Sequence, residues 1–271
     1  MSDSGFGSTK SKIGAALSSA QKDLGKTFER LSSGKRINKA SDDAAGLAIA
    51  DALASDAVVL KQGNRNISDA QSLIDIADSA VSQVGDISIR MQELSAQAAN
   101  GTISDSQRNT LNAEYQQLGQ EVQRIAATTE FNGKNVFSGS SSIQVGGDSS
   151  ADSQITVDGG QLAALAANAV SQSIGTVDSA RAALDSVAAL GKSLSSARGD
   201  LGAQSGRLST ASNNNSSTII NSQAAESSIR DADIADTLAQ NIAAKIRTQS
   251  ASALYAQANN VDKNRVLDLL R

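Results

Sequence analysis

The chain has 271 residues, a net charge of −4, 2% aromatic residues, and no proline, cysteine, histidine or tryptophan. These counts exclude disulfide staples, zinc hydrolysis and His-dependent triads, and they argue against a globule built on aromatic anchors. The negative charge argues against nucleic acid as a partner.

What remains is a protein of long helices packed through Ala, Leu, Ile and Val, since proline would break helix interiors at about 3 kcal/mol each. No apolar run reaches the roughly 20 residues of a membrane span, so no membrane insertion is expected. The N-terminus has no apolar secretory core, and export would take another route. Residues 1–12 are rich in Ser, Gly and Lys, the composition of a segment disordered in the free subunit, either a frayed end or an unfolded leader for export. Ile13, Leu17, Ala20, Leu24, Thr27 and Leu31 then recur at steps of four and three, one face of a helix. Ser32–Gly34 stops that rhythm, and a basic bridge, Lys35 to Lys39, follows. Ser41 is a good N-cap, with Asp42 and Asp43 set against the positive end of the next helix.

That helix is long, with an interruption expected near Gly63-Asn64. Ile67, Ala70, Ile74, Ala77, Val81, Val84 and Met91 form one stripe, and Leu73, Ile76, Ala80, Ile87 and Leu94 a second. Two stripes need at least two packing partners, so this is a bundle member. Asn100-Gly101 ends it. Ser104 to Gln107 is a capping-box pattern opening a helix with Leu111, Tyr115, Leu118, Val122 and Ile125 on one face. A short connection predicts that this helix folds back antiparallel. Asn132-Gly133 between apolar neighbours signals a hairpin, and Ile143–Val145 and Ile155–Val157 alternate as short strands. From Gln161 helix returns. Val177, Ala180, Leu184, Val187, Leu194, Leu201 and Leu208 form a seam, Gly191 stands where an apolar residue is expected, and Asn213 to Asn215 weaken the helix before it resumes. Ile234, Leu238, Ile242, Ile246, Leu267 and Leu270 are the expected packing residues of the last segment. The segments 13–31 and 229–271 are each too lightly apolar to hold a fold alone. Paired with each other and with neighbouring copies they would bury their stripes, which predicts self-assembly.

Leu31–Leu53, reading LSSGKRINKASDDAAGLAIADAL, closely resembles the N-terminal signature of bacterial flagellin over about 23 contiguous residues. The resemblance continues through RNISDAQSLIDIADSAV, RMQELSAQAANGTISDSQRNTLNAEYQQL, TEFNGKNVFSG, LGAQSGRLSTA, ESSIRDADIAD and SALYAQANN. It implies a mainly α fold, a long-helix bundle and coiled coil pairing the N- and C-terminal segments, with a small β-hairpin excursion. Residues 1–44 with 228–271 would form the inner coiled-coil domain, disordered in the free monomer. Residues 45–137 with 161–227 would form a rod-like bundle, and 138–160 a short variable β/loop segment. The implied function is a filament subunit for swimming motility, extracellular and exported by the flagellar secretion apparatus without a cleaved signal peptide. The implied partners are further copies, other flagellins, an export chaperone, the filament cap and hook-associated proteins, with no cofactor, metal or catalytic residue. Arg90, Glu93, Leu94 and Glu114 match a family surface that contacts stacked subunits and, in some members, a host innate immune receptor.

Two departures fall in the terminal domain. The chain opens MSDSGFGSTKSK where the family has an apolar–Asn–Thr–Asn-like run, and Asp262 follows Val261 where proline is common, with an extra residue near Arg265. A hook–filament junction protein, or a minor flagellin that needs a partner subunit, is the alternative reading. An enzyme is the different-class alternative, opposed by the lack of His and Cys. Asp231, Asp233 and Asp236 read as acidic residues opening a helix, without the spacing of a calcium loop. Ser140, Ser141 and Ser142 are candidates for O-linked sugars in a loop.

Overall fold

A computed structural model describes residues 3–159, 162, 167 and 171–269. Five long helices dominate, α1 (Asp3–Ser33), α2 (Ala44–Ala98), α3 (Asp105–Thr128), α4 (Val177–Arg230) and α5 (Ile234–Leu269). Two antiparallel strand pairs lie between α3 and α4: β1 (Glu130–Phe131) with β2 (Lys134–Asn135), and β3 (Ser140–Gln144) with β4 (Gln154–Asp158). The chain forms two compact units, Met1–Ser55 with Asn221–Arg271, and Asp56–Ile220.

In the terminal unit α1 packs on α5. Gly34, at φ 68°, ends α1 in the left-handed conformation that glycine takes without strain. The basic bridge then lies against the junction of α4 and α5. Arg36 N–H donates to Arg230 O (2.6 Å), Ala232 N–H to Gly34 O (2.9 Å), and Lys35 pairs with Asp231 as an isolated antiparallel bridge. Side chains reinforce it: Arg36 Nη2 donates to Ile229 O (2.7 Å), and Arg230 reaches Ile37 O and, at 3.1 Å, Asp51. Ile37 is buried beneath the stitch.

The start of α2 differs from expectation. Asp43 is the cap, its Oδ1 accepting Gly46 N–H (2.9 Å), while Ser41 lies in the preceding turn. Asp42 stabilises that turn by accepting the N–H groups of Asn38 and Lys39.

The face that α5 turns to α1 also differs. Ala20 and Thr27 are buried on α1, with Ile13, Leu17, Leu24 and Leu31 half-buried. Opposite them stand Thr237 and Ala244, both buried, and Asn241, whose Nδ2 donates to Thr27 Oγ1 (3.1 Å). Ile234, Leu238, Ile242 and Ile246 are instead 49, 46, 51 and 57% exposed. The cause is their spacing. Steps of four advance about 40° per repeat on a helix with 3.6 residues per turn, so this row winds off the contact. Thr237, Asn241, Ala244 and Thr248, at steps of four, three and four, keep to it. Leu270 lies outside the described residues, as do the side chains of Leu267, Asp262 and Arg265.

The larger unit holds one core. Ile67, Ile74, Val81, Val84, Met91 and Leu94 from α2 meet Tyr115, Val122 and Ile125 from α3 and Val187, Leu190, Leu194, Leu201 and Leu208 from α4. Ser104 and Gln107 cap α3 reciprocally. Arg108, 3% exposed, was not foreseen: its guanidinium donates to the carbonyls of Ala98 and Ile103 and so braces the α2–α3 turn. Asn132 and Gly133, at φ 52° and 73°, make the turn between β1 and β2. Val145, Ile155 and Val157 of the β3–β4 hairpin reach the core.

Neither expected helix interruption occurs. Gly63 sits in unbroken α2 because the hairpin comes down on it: a Cβ there would lie 2.3 Å from Val145 O. The same carbonyl accepts Asn215 Nδ2 (2.8 Å), and Asn66 Nδ2 donates to Gln144 O (2.9 Å). The helix-weakening residues are thus the latch of the hairpin.

Gly63→Ala should therefore lower stability by about 1–3 kcal/mol through overpacking. Gly85→Ala, where a Cβ meets nothing within 4 Å, should raise it by about 0.5–1 kcal/mol. Denaturant titration of the two variants checks the contrast.

Candidate functional site

Among the described residues, no group of His, Cys, Asp or Glu could hold a metal ion. Asp233 caps α5 by accepting the N–H groups of Ala235 and Asp236, Asp236 accepts from Gln240, and Asp231 accepts from Ser227. The acidic run is helix-start chemistry. The surfaces with functional content are apolar or charged faces.

The first is on the terminal unit. Besides the winding row of α5, Phe28 and Leu254 are 66 and 59% exposed. On α5 the contact with α1 is made by small and polar side chains, while Ile234, Leu238, Ile242 and Ile246 stand largely in water. This is the reverse of a helix pair made to stand alone.

The second is the set Arg90, Glu93 and Glu114, which the structure brings together. Arg90 donates to Glu114 Oε1 through Nε and Nη2 (3.0 and 2.8 Å) and to Glu93 Oε2 through Nη1 (3.0 Å). Bonding to Glu114, then Glu93, raises the Arg90 pKa above its usual value. The three side chains are about half exposed, so water and salt screen their attraction and it adds little to stability. Its effect is to fix a charged constellation on the α2–α3 face. Leu94 does not belong to that surface: at 1% exposure it is core, because it falls on the buried stripe of α2.

A third feature was signalled only by Gly191. A groove of about 520 Å³ runs between α2 and α4, walled by Gly85, Ala188 and Gly191, flanked by Ile89, and closed by Arg198 paired with Asp78 at 2.8 Å. The missing side chains of two glycines create it. Ser140, Ser141 and Ser142 lie on β3, in a strand where a loop was expected. Ser140 and Ser142 are exposed, Ser141 is half-buried, and Ser142 donates to Gln154 (2.7 Å).

Comparison with known proteins places these faces in context. Residues 9–142 match the model of the bacterial flagellin N-terminal helical region, and 184–270 that of the bacterial flagellin C-terminal helical region. The chain is 37% identical over 249 residues to a flagellin of Halalkalibacterium halodurans, covering 91% of each. It is 36% identical over 265 residues to flagellin FlaB1 of Treponema pallidum, covering 92% of each. The crystal structure of Bacillus cereus flagellin is similar at 28% identity and a TM-score of 0.50, over 56% of this chain and 88% of that one. A hook-associated protein structure from Vibrio parahaemolyticus shares the fold at 15% identity, with a TM-score of 0.57 over 70% of this chain and all of that one.

The turn before α2 should respond to acid. The N–H groups of Asn38 and then Lys39 hold the Asp42 carboxyl below the usual aspartate range. A depressed folded-state pKa contributes stability that is full above the ordinary range and lost as pH falls through the lowered value. Amide exchange at Asn38 and Lys39, corrected for the intrinsic pH dependence, should keep its protection through the ordinary aspartate range and lose it only at lower pH, and Asp42→Asn should abolish that acid step.

Proposed function

The chain belongs to the bacterial flagellin family and is a structural subunit of the flagellar filament, and on that premise we propose that its terminal unit carries the contacts between copies. The observation that carries this reading is the exposed row Ile234, Leu238, Ile242 and Ile246 of α5, with the exposed Phe28 of α1. With Thr, Asn and Ala on its inner face, α5 gains little from burial against α1 and much from a neighbour that covers its outer face. The terminal helices stay loosely ordered in the free subunit and set when a neighbour docks, so the ordering cost is met at the growing end and growth on an existing filament outruns free nucleation. In this reading residues 1–44 with 228–271 act as the inner coiled coil, 45–137 with 161–227 as the rod-like bundle, and 138–160 as the short variable segment.

The filament is extracellular, and we assign export to the flagellar secretion apparatus without a cleaved signal peptide. The same exposed row offers an export chaperone an apolar face before assembly, and the filament cap and hook-associated proteins meet the subunit at the ends of the polymer. Arg90, Glu93 and Glu114 form a prearranged patch suited to a stacked subunit or to a host immune receptor, without Leu94. The subunit acts without catalysis, which the absence of histidine and cysteine supports.

Short filament seeds incubated with purified subunit should elongate, with new polymer continuous with each seed under the electron microscope. Leu238→Asp with Ile242→Asp should stop elongation while leaving the melting of the larger unit unchanged. Bare seeds beside folded wild-type subunit, or normal growth of the double variant, would overturn the reading.

A further inference from the structure

The chain contains Asn-Gly twice, at Asn100-Gly101 and Asn132-Gly133. In this dipeptide the backbone nitrogen after asparagine reaches the side-chain amide carbon with least hindrance, because glycine has no Cβ and turns freely. The fold holds the two copies differently. Asn132 and Gly133 are locked at φ 52° and 73° in the turn that closes the Phe131–Lys134 pair. Bringing Gly133 nitrogen onto the Asn132 amide needs an extended ψ, so the hairpin would have to break first.

Asn100-Gly101 is free of that lock. Both residues are exposed just beyond α2, neither has a positive φ, and a Cβ on Gly101 would meet nothing within 4 Å. Asn100 Oδ1 accepts Thr102 N–H (3.0 Å) and Thr102 Oγ1–H (2.9 Å). These two donors polarise the amide carbonyl and would stabilise the negative charge that develops on its oxygen under attack, as preorganised donors do at an oxyanion site. Among the described residues, neither the Gly101 N–H nor Asn100 Nδ2 has a hydrogen-bond partner.

We infer that Asn100 is a site of spontaneous deamidation. The Gly101 nitrogen gives its proton to solvent and bonds to Asn100 Cγ. The Cγ–Nδ2 bond breaks, ammonia leaves with a proton from water, and a five-membered succinimide remains. Water then opens either carbonyl of the ring, leaving aspartate or isoaspartate at position 100, with nothing oxidised or reduced. Either product sets a carboxylate beside the carbonyl end of α2, where the helix dipole disfavours negative charge. Isoaspartate also lengthens the main chain by one carbon next to the turn that Arg108 braces at Ala98 and Ile103.

The test is to age the full chain in mildly alkaline buffer and follow two tryptic peptides by mass spectrometry. Residues 91–108 contain Asn100 as their sole asparagine, and residues 125–134 contain Asn132 as theirs. The expected result is loss of ammonia and then gain of water in the first peptide, with the second unchanged. Gly101→Ala should slow the reaction severalfold without changing the melting temperature, and Thr102→Ala should slow it by removing one donor to the carbonyl. An unmodified Asn100, or Asn132 reacting as fast, would overturn the inference.

Discussion

The terminal unit depends on a short backbone stitch between segments that are far apart in sequence. Arg36 and Arg230 are joined by a main-chain hydrogen bond, Gly34 and Ala232 by another, and the flanking side-chain contacts span 193 residues. Closing so long a loop is entropically costly, though the cost grows only slowly with length. The Ile229 and Arg230 carbonyls left free where α4 ends accept from Arg36, and Gly34 O just past α1 accepts from Ala232 N–H. Arg230 adds a charge-assisted bond to Asp51 at the start of α2. α1 and α5 can then lie side by side, because both leave the same small junction.

The two units solve burial in opposite ways. The larger one turns most of its large aliphatic residues inward, where they fill the space between three helices. In the terminal unit the α1–α5 contact buries Ala20, Thr27, Thr237 and Ala244, while Phe28 and the aliphatic row of α5 stay exposed. An apolar face of that kind marks an interaction surface. On the proposed reading, this division suits a subunit whose terminal unit is completed by its neighbours in the polymer.

Much of this was legible in the sequence, for identifiable reasons. The α2 and α4 seams follow from regular spacing of Ile, Val, Leu and Ala, and the turn at Asn132-Gly133 from a dipeptide with one favoured use. The errors came where a residue answers to something remote. Gly63 and Asn215 read as helix breakers because their purpose, accommodating and holding the β3–β4 hairpin, lies across the fold. Leu94 falls in the family surface pattern with Arg90, Glu93 and Glu114, although its position on the α2 stripe assigns it to the core. The inner face of α5 carries no apolar periodicity, because the row that stays in register is small and polar. Arg108 carried no pattern at all, since a lone arginine gives no sign of which carbonyls it will brace.

The account turns on whether the terminal helices are completed by neighbours. Amide hydrogen exchange, compared between the free subunit and the assembled filament, tests this most directly. Rapid exchange is expected along α1 and α5 in the free subunit, with strong protection of both in the filament and little change in the core of α2, α3 and α4 below Leu208. Terminal helices already as protected in the free subunit as in the filament would contradict it, because the α1–α5 pair would then be stable without a neighbour.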